Sequence, residues 1–184
     1  MSITFTTIAT RPNTSVQFYQ ESGSPVVAQI TDAWRALNLH SSRDQVTSDD
    51  GLTLTSTATF ETIENFSTFY NYITDLTLAV EFTNYRNANP GINNSRTASG
   101  FGNVTIAATY NFPNGTESES QNINRLREND VAHLTDLQVL SDKVIVAHTY
   151  ADAADFSSAY FNDVGFAQDL VNAGVTKTIS VTAN

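Results

Sequence analysis

The residues that could do chemistry are few in this chain, and their spacing matches no familiar catalytic or metal-binding motif. The three histidines are His40, His133 and His148, and none is spaced as one of a metal-binding pair. Because the chain has no cysteine, it has neither disulfides nor thiolate ligands for zinc or iron–sulfur clusters. His148 shares one face of an alternating segment with Val146 and Tyr150, which favours a hydrogen-bonded core histidine over a catalyst.

Local structure accounts for the close acidic pairs, which are Asp49-Asp50, Glu61/Glu64 and Asp152/Asp155. The first pair precedes a glycine, as in a turn, and the other two fall where a helix favours carboxylates in its first turn. No D-x-D-x-D-G calcium loop, G-x-S-x-G nucleophile motif or phosphate-binding glycine motif occurs. We therefore expect no catalytic, cofactor-binding or metal-binding residue, no cofactor and no enzymatic activity.

Charge and composition limit the partners that we expect. The 184 residues carry a formal net charge of −10, which repels phosphate backbones and anionic lipids, so nucleic acid and membranes are poor partners. We see no signal peptide and no apolar run near the roughly 20 residues that span a bilayer, and we expect a protein that is made and used in a cytoplasm or assembled there into something larger. Only 15% of the residues are charged, and a polar but weakly charged surface is buried against neighbouring proteins at low cost.

The first half of the chain is predicted to contain strands that alternate with capped helices. Residues 3–10 alternate as a strand, and Ser24-Pro25 is typical of a helix start, with Trp34 in the apolar stripe that follows. Asp49-Asp50-Gly51 predicts the turn of a hairpin, and Thr62 is placed to cap the next helix. Residues 76–85 fit either a helix or a strand.

The second half is predicted to follow a similar course. The expected elements are a strand at 104–112, a loosely defined helix at 123–137, a strand at 144–150, helices at 152–162 and 166–173, and a closing strand at 175–181. Residues 86–102 have the Asn, Ser, Gly and Pro content of a long loop. We expect an extended N-terminal arm at 1–22 and one α+β domain at 23–184 that carries this loop.

Two stretches of the sequence resemble one another. Residues 60–67 align with residues 150–157, and the match continues from Tyr70 to Tyr160 and upstream from Gln45-Val46 to Gln138-Val139. Two explanations stay open: an internal duplication, or the sequence pattern that any hairpin followed by a capped amphipathic helix has. Two packed hairpin–helix units predict an antiparallel sheet with helices on one face, a ferredoxin-like arrangement.

Two segments carry a family resemblance: Arg11-Pro12-Asn13-Thr14-Ser15-Val16, and Ser48-Asp49-Asp50-Gly51-Leu52-Thr53-Leu54-Thr55. In these segments the chain resembles small virion structural proteins of marine tailed bacteriophages, and the likeness extends over residues 10–66. The resemblance implies a particle component without enzymatic activity, located in the virion and assembled in the host cytoplasm. Its partners would be other virion proteins or copies of itself, and it supplies no functional residue to transfer.

Assembly would then depend on exposed segments of the chain. We expect the arm at 1–22 and the loop at 86–102 to dock on neighbouring subunits through Phe18, Tyr19 and Phe101. This hypothesis requires that residues 1–19 be dispensable for folding.

Two other functions stay open. A small ferredoxin-like enzyme or ligand-binding protein, similar to the dimeric α/β-barrel monooxygenases, would place His148 or Tyr150 in a pocket between sheet and helices. A secreted or surface adhesive module is the third alternative, and the missing signal sequence argues against it.

Overall fold

The chain folds into two halves that repeat one order of elements, as seen in a computed structural model that describes residues 2–159 and 166–184. The first half contains β1 (Ile3–Thr10), α1 (Pro25–Ala36), β2 (Ser42–Thr47), β3 (Thr53–Phe60), α2 (Ile63–Ile73), α3 (Leu76–Ala88) and β4 (Asn93–Ser99). The second half contains β5 (Val104–Asn111), α4 (Ser120–Glu128), β6 (Leu134–Val139), β7 (Lys143–Tyr150), α5 (Ala153–Ala159), α6 (Ala167–Asn172) and β8 (Thr176–Ala183). Short 3-10 turns lie at Tyr19–Glu21, Glu117–Glu119 and Val131–His133.

Each half forms its own four-stranded antiparallel sheet. The strand orders are β2-β3-β1-β4 in the first half, which we call sheet 1, and β6-β7-β5-β8 in the second, which we call sheet 2. A β-α-β-β-α-β chain with the first and third strands in the centre is the ferredoxin-like arrangement, here with one extra helix per half. The predicted α+β, ferredoxin-like fold class is confirmed. The hairpin–helix unit identified in the sequence is the middle part of a larger unit that occurs once in each half.

The predicted helix starts are confirmed by their capping contacts. The Ser24 side chain accepts a hydrogen bond from the Val27 amide, and Pro25 occupies the first helical position of α1. The Thr62 hydroxyl accepts from the Asn65 amide at the start of α2. In the second half, the Asp152 carboxylate accepts from the amides at 154 and 155, so the same device begins α5.

The repeated stretches occupy equivalent places in the two halves. Phe60 and Tyr150 end β3 and β7, while Phe66 and Phe156 begin the buried faces of α2 and α5 in one shared core. The pairs at 45–46 and 138–139 lie in the equivalent edge strands β2 and β6, but strand register makes Leu137, and not Gln138, the structural equivalent of Gln45. Tyr160, the expected partner of Tyr70, lies outside the described residues.

The predicted N-terminal arm is wrong over Ile3–Thr10, which form a strand of sheet 1. β1 lies in the middle of sheet 1, between β3 and β4, and buries Ile3, Phe5 and Ala9 on one face. Residues 1–19 therefore include a central strand, and the expectation that they are dispensable for folding is inconsistent with this position.

The predicted loop at 86–102 is also wrong. α3 continues to Ala88, and β4 follows at Asn93–Ser99, so only short connections remain. β4 buries Ala98 alone among its residues, and an edge strand that is polar on both faces gives almost no alternating apolar signal. Its pairing with β1 and its cover by α5 are tertiary contacts that a local pattern does not show.

Three further expectations are refined by the structure. Residues 76–85, which fitted either a helix or a strand, belong to α3. The predicted helix at 123–137 ends at Glu128, because Leu134–Val139 forms the edge strand β6. In the α1 stripe only Trp34 is buried, so this helix packs loosely on the sheet.

The two halves pack against each other with approximate two-fold symmetry. α2 of the first half covers the edge strand β8, α5 of the second half covers the edge strand β4, and α3 packs on α6. Two outward amides of β8 are satisfied by α2: Ile179 N–H donates to Asn71 Oδ1 at 2.6 Å, and Val181 N–H donates to Ser67 Oγ at 2.8 Å. These contacts close two sheet edges that would otherwise present unpaired backbone groups.

The two segments that carry the phage resemblance meet at one end of sheet 1. The Arg11 amide donates to Leu52 O at 3.0 Å, and Arg11 Nε donates to Gly51 O at 2.7 Å. Arg11 Nη1 also donates to Val16 O at 2.9 Å and pairs with Glu21 at 3.1 Å. The guanidinium lies 4.1 Å from the ring centroid of Phe18, so one side chain joins both segments.

We expect Arg11→Ala to lower the free energy of unfolding by roughly 2–3 kcal/mol. The substitution removes the donor of the hydrogen bonds to Gly51 O, Val16 O and Glu21, and the Arg11 side chain is only 10% exposed. Urea denaturation measures this loss. Arg127→Ala is the matched control, since Arg127 is exposed on α4 and should change stability by less than about 0.5 kcal/mol. Equal effects of the two substitutions would contradict the joining role of Arg11.

Candidate functional site

A cavity of about 790 Å³ lies between the helices and the inner faces of the two sheets. This volume falls within the roughly 300–1,000 Å³ typical of small-molecule sites. Its floor over sheet 1 is covered by α1 and α3, and each of these helices fully buries only one residue, Trp34 and Leu76 respectively. α1 and α3 therefore cover an open space over sheet 1 and do not fill it with a tightly packed core.

A row of polar side chains crosses the floor of the cavity. Strand register places Gln45, Ser56, Thr7 and Arg96 side by side across all four strands of sheet 1, and all four line the cavity. The neighbouring rows on the same face are apolar at their centres, with Phe5 next to Ala58 on one side and Ala9 next to Leu54 on the other. We call these four residues the polar row.

The equivalent row of the second half is apolar throughout. The register of sheet 2 places Leu137, Val146, Ala108 and Ile179 side by side in the same order of strands. Three of them line the cavity, so the space has a polar lobe over sheet 1 and an apolar lobe over sheet 2. The fold itself therefore does not require polar residues in this row.

Arginines lie around the polar lobe. Arg35 and Arg43 lie 5.8 and 5.5 Å from the ring centroid of Trp34, and Arg86 lines the cavity from α3. Desolvation, and then the charge of Arg35, lower the pKa of the Arg43 guanidinium. None of these three arginines forms an ion pair with a carboxylate of the described residues, although Asp32 also lines the cavity.

Two buried donors in the cavity wall lack a hydrogen-bond partner among the described residues. They are the Tyr19 hydroxyl and the Asn94 side-chain nitrogen, and Asn94 lies one row from Arg96 on the same face of β4. Burial, reinforced by the charge of Glu81, raises the pKa of Tyr19, so the hydroxyl keeps its proton. Unsatisfied buried donors are costly, and a ligand acceptor would satisfy them.

Lys177 is the cation of the apolar lobe. Its side chain lies on the inner face of β8, opposite Tyr110, and lines the cavity. Burial lowers the pKa of the Lys177 ammonium to about 8, and the charge of Asp75 opposes this shift. The ammonium forms no ion pair with a carboxylate in the described part of the chain.

The histidines are placed as follows. His148 and Tyr150 line the cavity, in agreement with the pocket expected for a ligand-binding ferredoxin-like protein. His148 Nε2 lies 3.0 Å from the carbonyl oxygen of Asn129, which satisfies it as a buried polar group. His40 packs edge-on against Trp34, with ring centroids 5.5 Å apart.

His133 belongs to a polar cluster at the cavity wall, and two members of that cluster, Asp130 and Tyr150, line the cavity. Its Nδ1 lies 2.7 Å from Asp130 Oδ1 and its Nε2 lies 2.8 Å from Asp155 Oδ1. Tyr150 donates its hydroxyl to the other oxygen of Asp130 at 2.7 Å. The cluster ties the start of β6 to α5. Within residues 2–159 and 166–184, no group of three or more acidic or histidine side chains is arranged to hold a metal ion.

Two sheet edges remain open, in contrast to the covered strands β4 and β8. All six residues of β2 are exposed, and the equivalent strand β6 is exposed over most of its length. Val46 on β2 is 54% exposed and Val139 on β6 is 40% exposed. An edge strand with free backbone groups and exposed apolar side chains can pair with another chain.

Two of the expected docking anchors lie inside the molecule. Phe18 is fully buried with Ala9 and Leu54, and Phe101 is part of the shared core between the halves. The hydroxyl of Tyr19 lies in the cavity wall, as described above. The prediction that these residues dock on neighbouring subunits is therefore wrong for Phe18 and Phe101, which are buried inside the fold, and stays a prediction for Tyr19, which is half-buried.

The polar row was not predicted from the sequence, although a signal for it exists. On β3 the inner positions read Leu54, Ser56, Ala58 and Phe60, and on β1 they read Ile3, Phe5, Thr7 and Ala9. One polar residue interrupts each apolar series, and the register aligns the two interruptions. Arg96 gives no such signal, because its strand was not recognised.

Comparisons with known proteins add no family. No protein-family model matches the chain, and no curated protein matches it either. Among solved structures, it is similar to a "putative monooxygenase" from Lactobacillus acidophilus NCFM, with 7% identity, a TM-score of 0.30, and coverage of 98% of this chain and 93% of that chain. It is also similar to a "putative glycine cleavage system transcriptional repressor" (6% identity, TM-score 0.27, coverage 100% and 99%) and to an aldoxime dehydratase (8%, 0.26, 99% and 81%). No helix of the described residues is long and apolar enough to cross a membrane.

We expect the His133 cluster to give a pH-dependent contribution to stability. Hydrogen bonds to Asp130 and then Asp155 raise the pKa of His133 above its usual 6.5. Since the folded pKa is raised, the contribution is complete below about pH 6.5 and is lost as the pH rises through the folded pKa. An NMR titration of the imidazole should give a midpoint above 6.5 that falls in Asp130→Asn.

The same linkage is measured by urea denaturation. Wild type should exceed His133→Asn in unfolding free energy by more at pH 6 than at pH 9. An imidazole titration midpoint at or below 6.5 would contradict the raised pKa of His133. A stability difference between wild type and His133→Asn that is the same at both pH values would contradict it as well.

Proposed function

We propose that the chain is a non-enzymatic structural component of a bacteriophage virion that acts through protein–protein assembly contacts. The observation that carries the proposal is the pair of open edges: β2 and β6 are exposed at equivalent places in the two halves. Association through these edges replaces the arm and loop contacts expected from the sequence. The partners are copies of this chain or other virion proteins.

The composition of the outer sheet faces supports assembly. On the face of sheet 1 away from the helices, strand register aligns Thr4 with Thr59 and Thr6 with Thr57, and Thr55 lies between Ile8 and Val46. Uncharged hydroxyl side chains are desolvated at much lower cost than lysine or glutamate. Ile8 is 37% exposed and adds apolar surface beside the open edge at Val46.

The phage resemblance supports the same proposal. Its two segments, separated in sequence, form one structural unit around Arg11, at the end of sheet 1 where β3 begins. A net charge of −10 is consistent with protein partners, whereas nucleic acid and anionic membranes would be repelled. The proposed location is the virion, after assembly in the host cytoplasm.

We expect the double variant Val46→Lys/Val139→Lys to lose self-association while it keeps its fold. Lysine on an exposed edge opposes strand pairing, and both valines are already largely exposed, so the free energy of unfolding should change by less than about 1 kcal/mol. Sedimentation velocity over a range of concentrations should show assemblies for wild type and a monomer for the variant.

Leu37→Lys is the matched control, because Leu37 is 49% exposed but lies at the end of α1 and not on a sheet edge. This variant should assemble like wild type. A wild-type chain that stays monomeric at every concentration, or a double variant that assembles as well as Leu37→Lys, would contradict assembly through the edges.

A further inference from the structure

The contrast between the two halves identifies a feature that assembly does not explain. In sheet 2, the row is apolar: Val146 is buried, and Leu137, Ala108 and Ile179 are partly buried against the hydrophobic cores. In sheet 1, the equivalent four positions are polar and face a cavity. Thr7, Ser56 and Arg96 are half-buried and Gln45 is exposed, so their polar groups are accessible from the cavity. A polar row at a position where the other half is apolar indicates a binding role.

The charges around the polar lobe indicate the sign of the ligand. Five cationic side chains line the cavity, Arg96 of the row itself with Arg35, Arg43, Arg86 and Lys177, against two carboxylates, Asp32 and Asp130. The chain as a whole has only nine Lys and Arg residues against nineteen Asp and Glu residues, so this concentration of cations is local. Concave sites lined by one sign of charge concentrate ligands of the opposite sign.

We propose that the cavity binds a small organic anion, with its carboxylate or phosphate group on the polar row and its apolar body in the lobe over sheet 2. Arg96 donates to the anionic group, and the unsatisfied donors of Tyr19 and Asn94 face the same space. In the lobe over sheet 2, Val146, Ala108 and Ile179 form an apolar row for the ligand body, and Lys177 lines the same lobe. Gln45 and Arg43 belong to the open strand β2, but the other residues of the site lie on other elements, and probe binding is measured separately from assembly.

Two fluorescent probes that share one skeleton test the proposal. 8-Anilinonaphthalene-1-sulfonate carries an anionic group, and N-phenyl-1-naphthylamine is the same aromatic amine without it. The folded full-length chain should bind the anionic probe more tightly than the neutral one, and added salt should weaken only the anionic probe. Competition with benzoate and with phenyl phosphate then distinguishes a carboxylate site from a phosphate site.

Substitutions locate the binding. Arg96→Gln should lower the affinity for the anionic probe roughly tenfold to a hundredfold, because a charge-assisted hydrogen bond is lost. The affinity for the neutral probe should stay within about twofold of the wild-type value. Arg127→Gln, on the exposed face of α4, is the matched control and should change neither affinity. Should Arg96→Gln fail to unfold cooperatively on heating, Arg43→Gln on the cavity rim provides the test, with a smaller loss of the anionic probe alone.

A variant that copies the second half into the first gives the sharpest outcome. Thr7→Ala, Gln45→Leu, Ser56→Val and Arg96→Ile together install the apolar row in sheet 1. This chain should keep its fold and its neutral-probe binding, and should lose preference for the anionic probe. Equal binding of both probes by wild type, no binding of either, or an unchanged preference in Arg96→Gln and in the apolar-row variant would each overturn the proposal.

Discussion

The structure depends on how the two ferredoxin-like halves close one another's sheets. Each four-stranded sheet has two edges, and the fold covers one edge of each with a helix from the other half: α2 lies over β8, and α5 lies over β4. The Asn71 and Ser67 side chains accept hydrogen bonds from the outward amides of β8, in place of a neighbouring strand. The aromatic side chains of α2 and α5, among them Phe66 and Phe156, fill the core between the halves. Because each half supplies the cover that the other lacks, neither sheet is complete by itself.

The same two-fold arrangement leaves β2 and β6 uncovered. It also allows the inner faces of sheet 1 and sheet 2 to carry different side chains. In the second half the row that faces the cavity is apolar, whereas in the first half α1 and α3 lie over a polar row. The open strand β2 supplies Arg43 and Gln45 to the cavity lining, whereas the described residues of β6 do not line it, so edge association and ligand binding meet only at β2. A particle subunit that also holds a small anion is consistent with both features.

The sequence predicted most elements that have a local signal and missed those that tertiary contacts create. Ser24-Pro25 and Thr62 marked the starts of α1 and α2 because capping is local, and the alternation of β3 and β7 was clear because one face is buried. β4 has the composition of a loop because it buries only Ala98 and is held by β1 and α5. The alternation of β1 indicates a strand but does not indicate its place in the middle of a sheet, since position in a sheet is not a local property. The polar row needed the register of four strands, and one of those strands had not been identified.

The closing of one edge of each sheet, with the other left open, is tested most directly by amide hydrogen exchange. Ile179 and Val181 on β8 should exchange as slowly as the amides of the central strand β5, because Asn71 and Ser67 accept their hydrogen bonds. Thr47, whose amide points away from β3 on the open strand β2, should exchange many times faster at a protein concentration where the chain is monomeric. Exchange of the β8 amides as fast as Thr47, or equal protection of both edges in the monomer, would contradict the account.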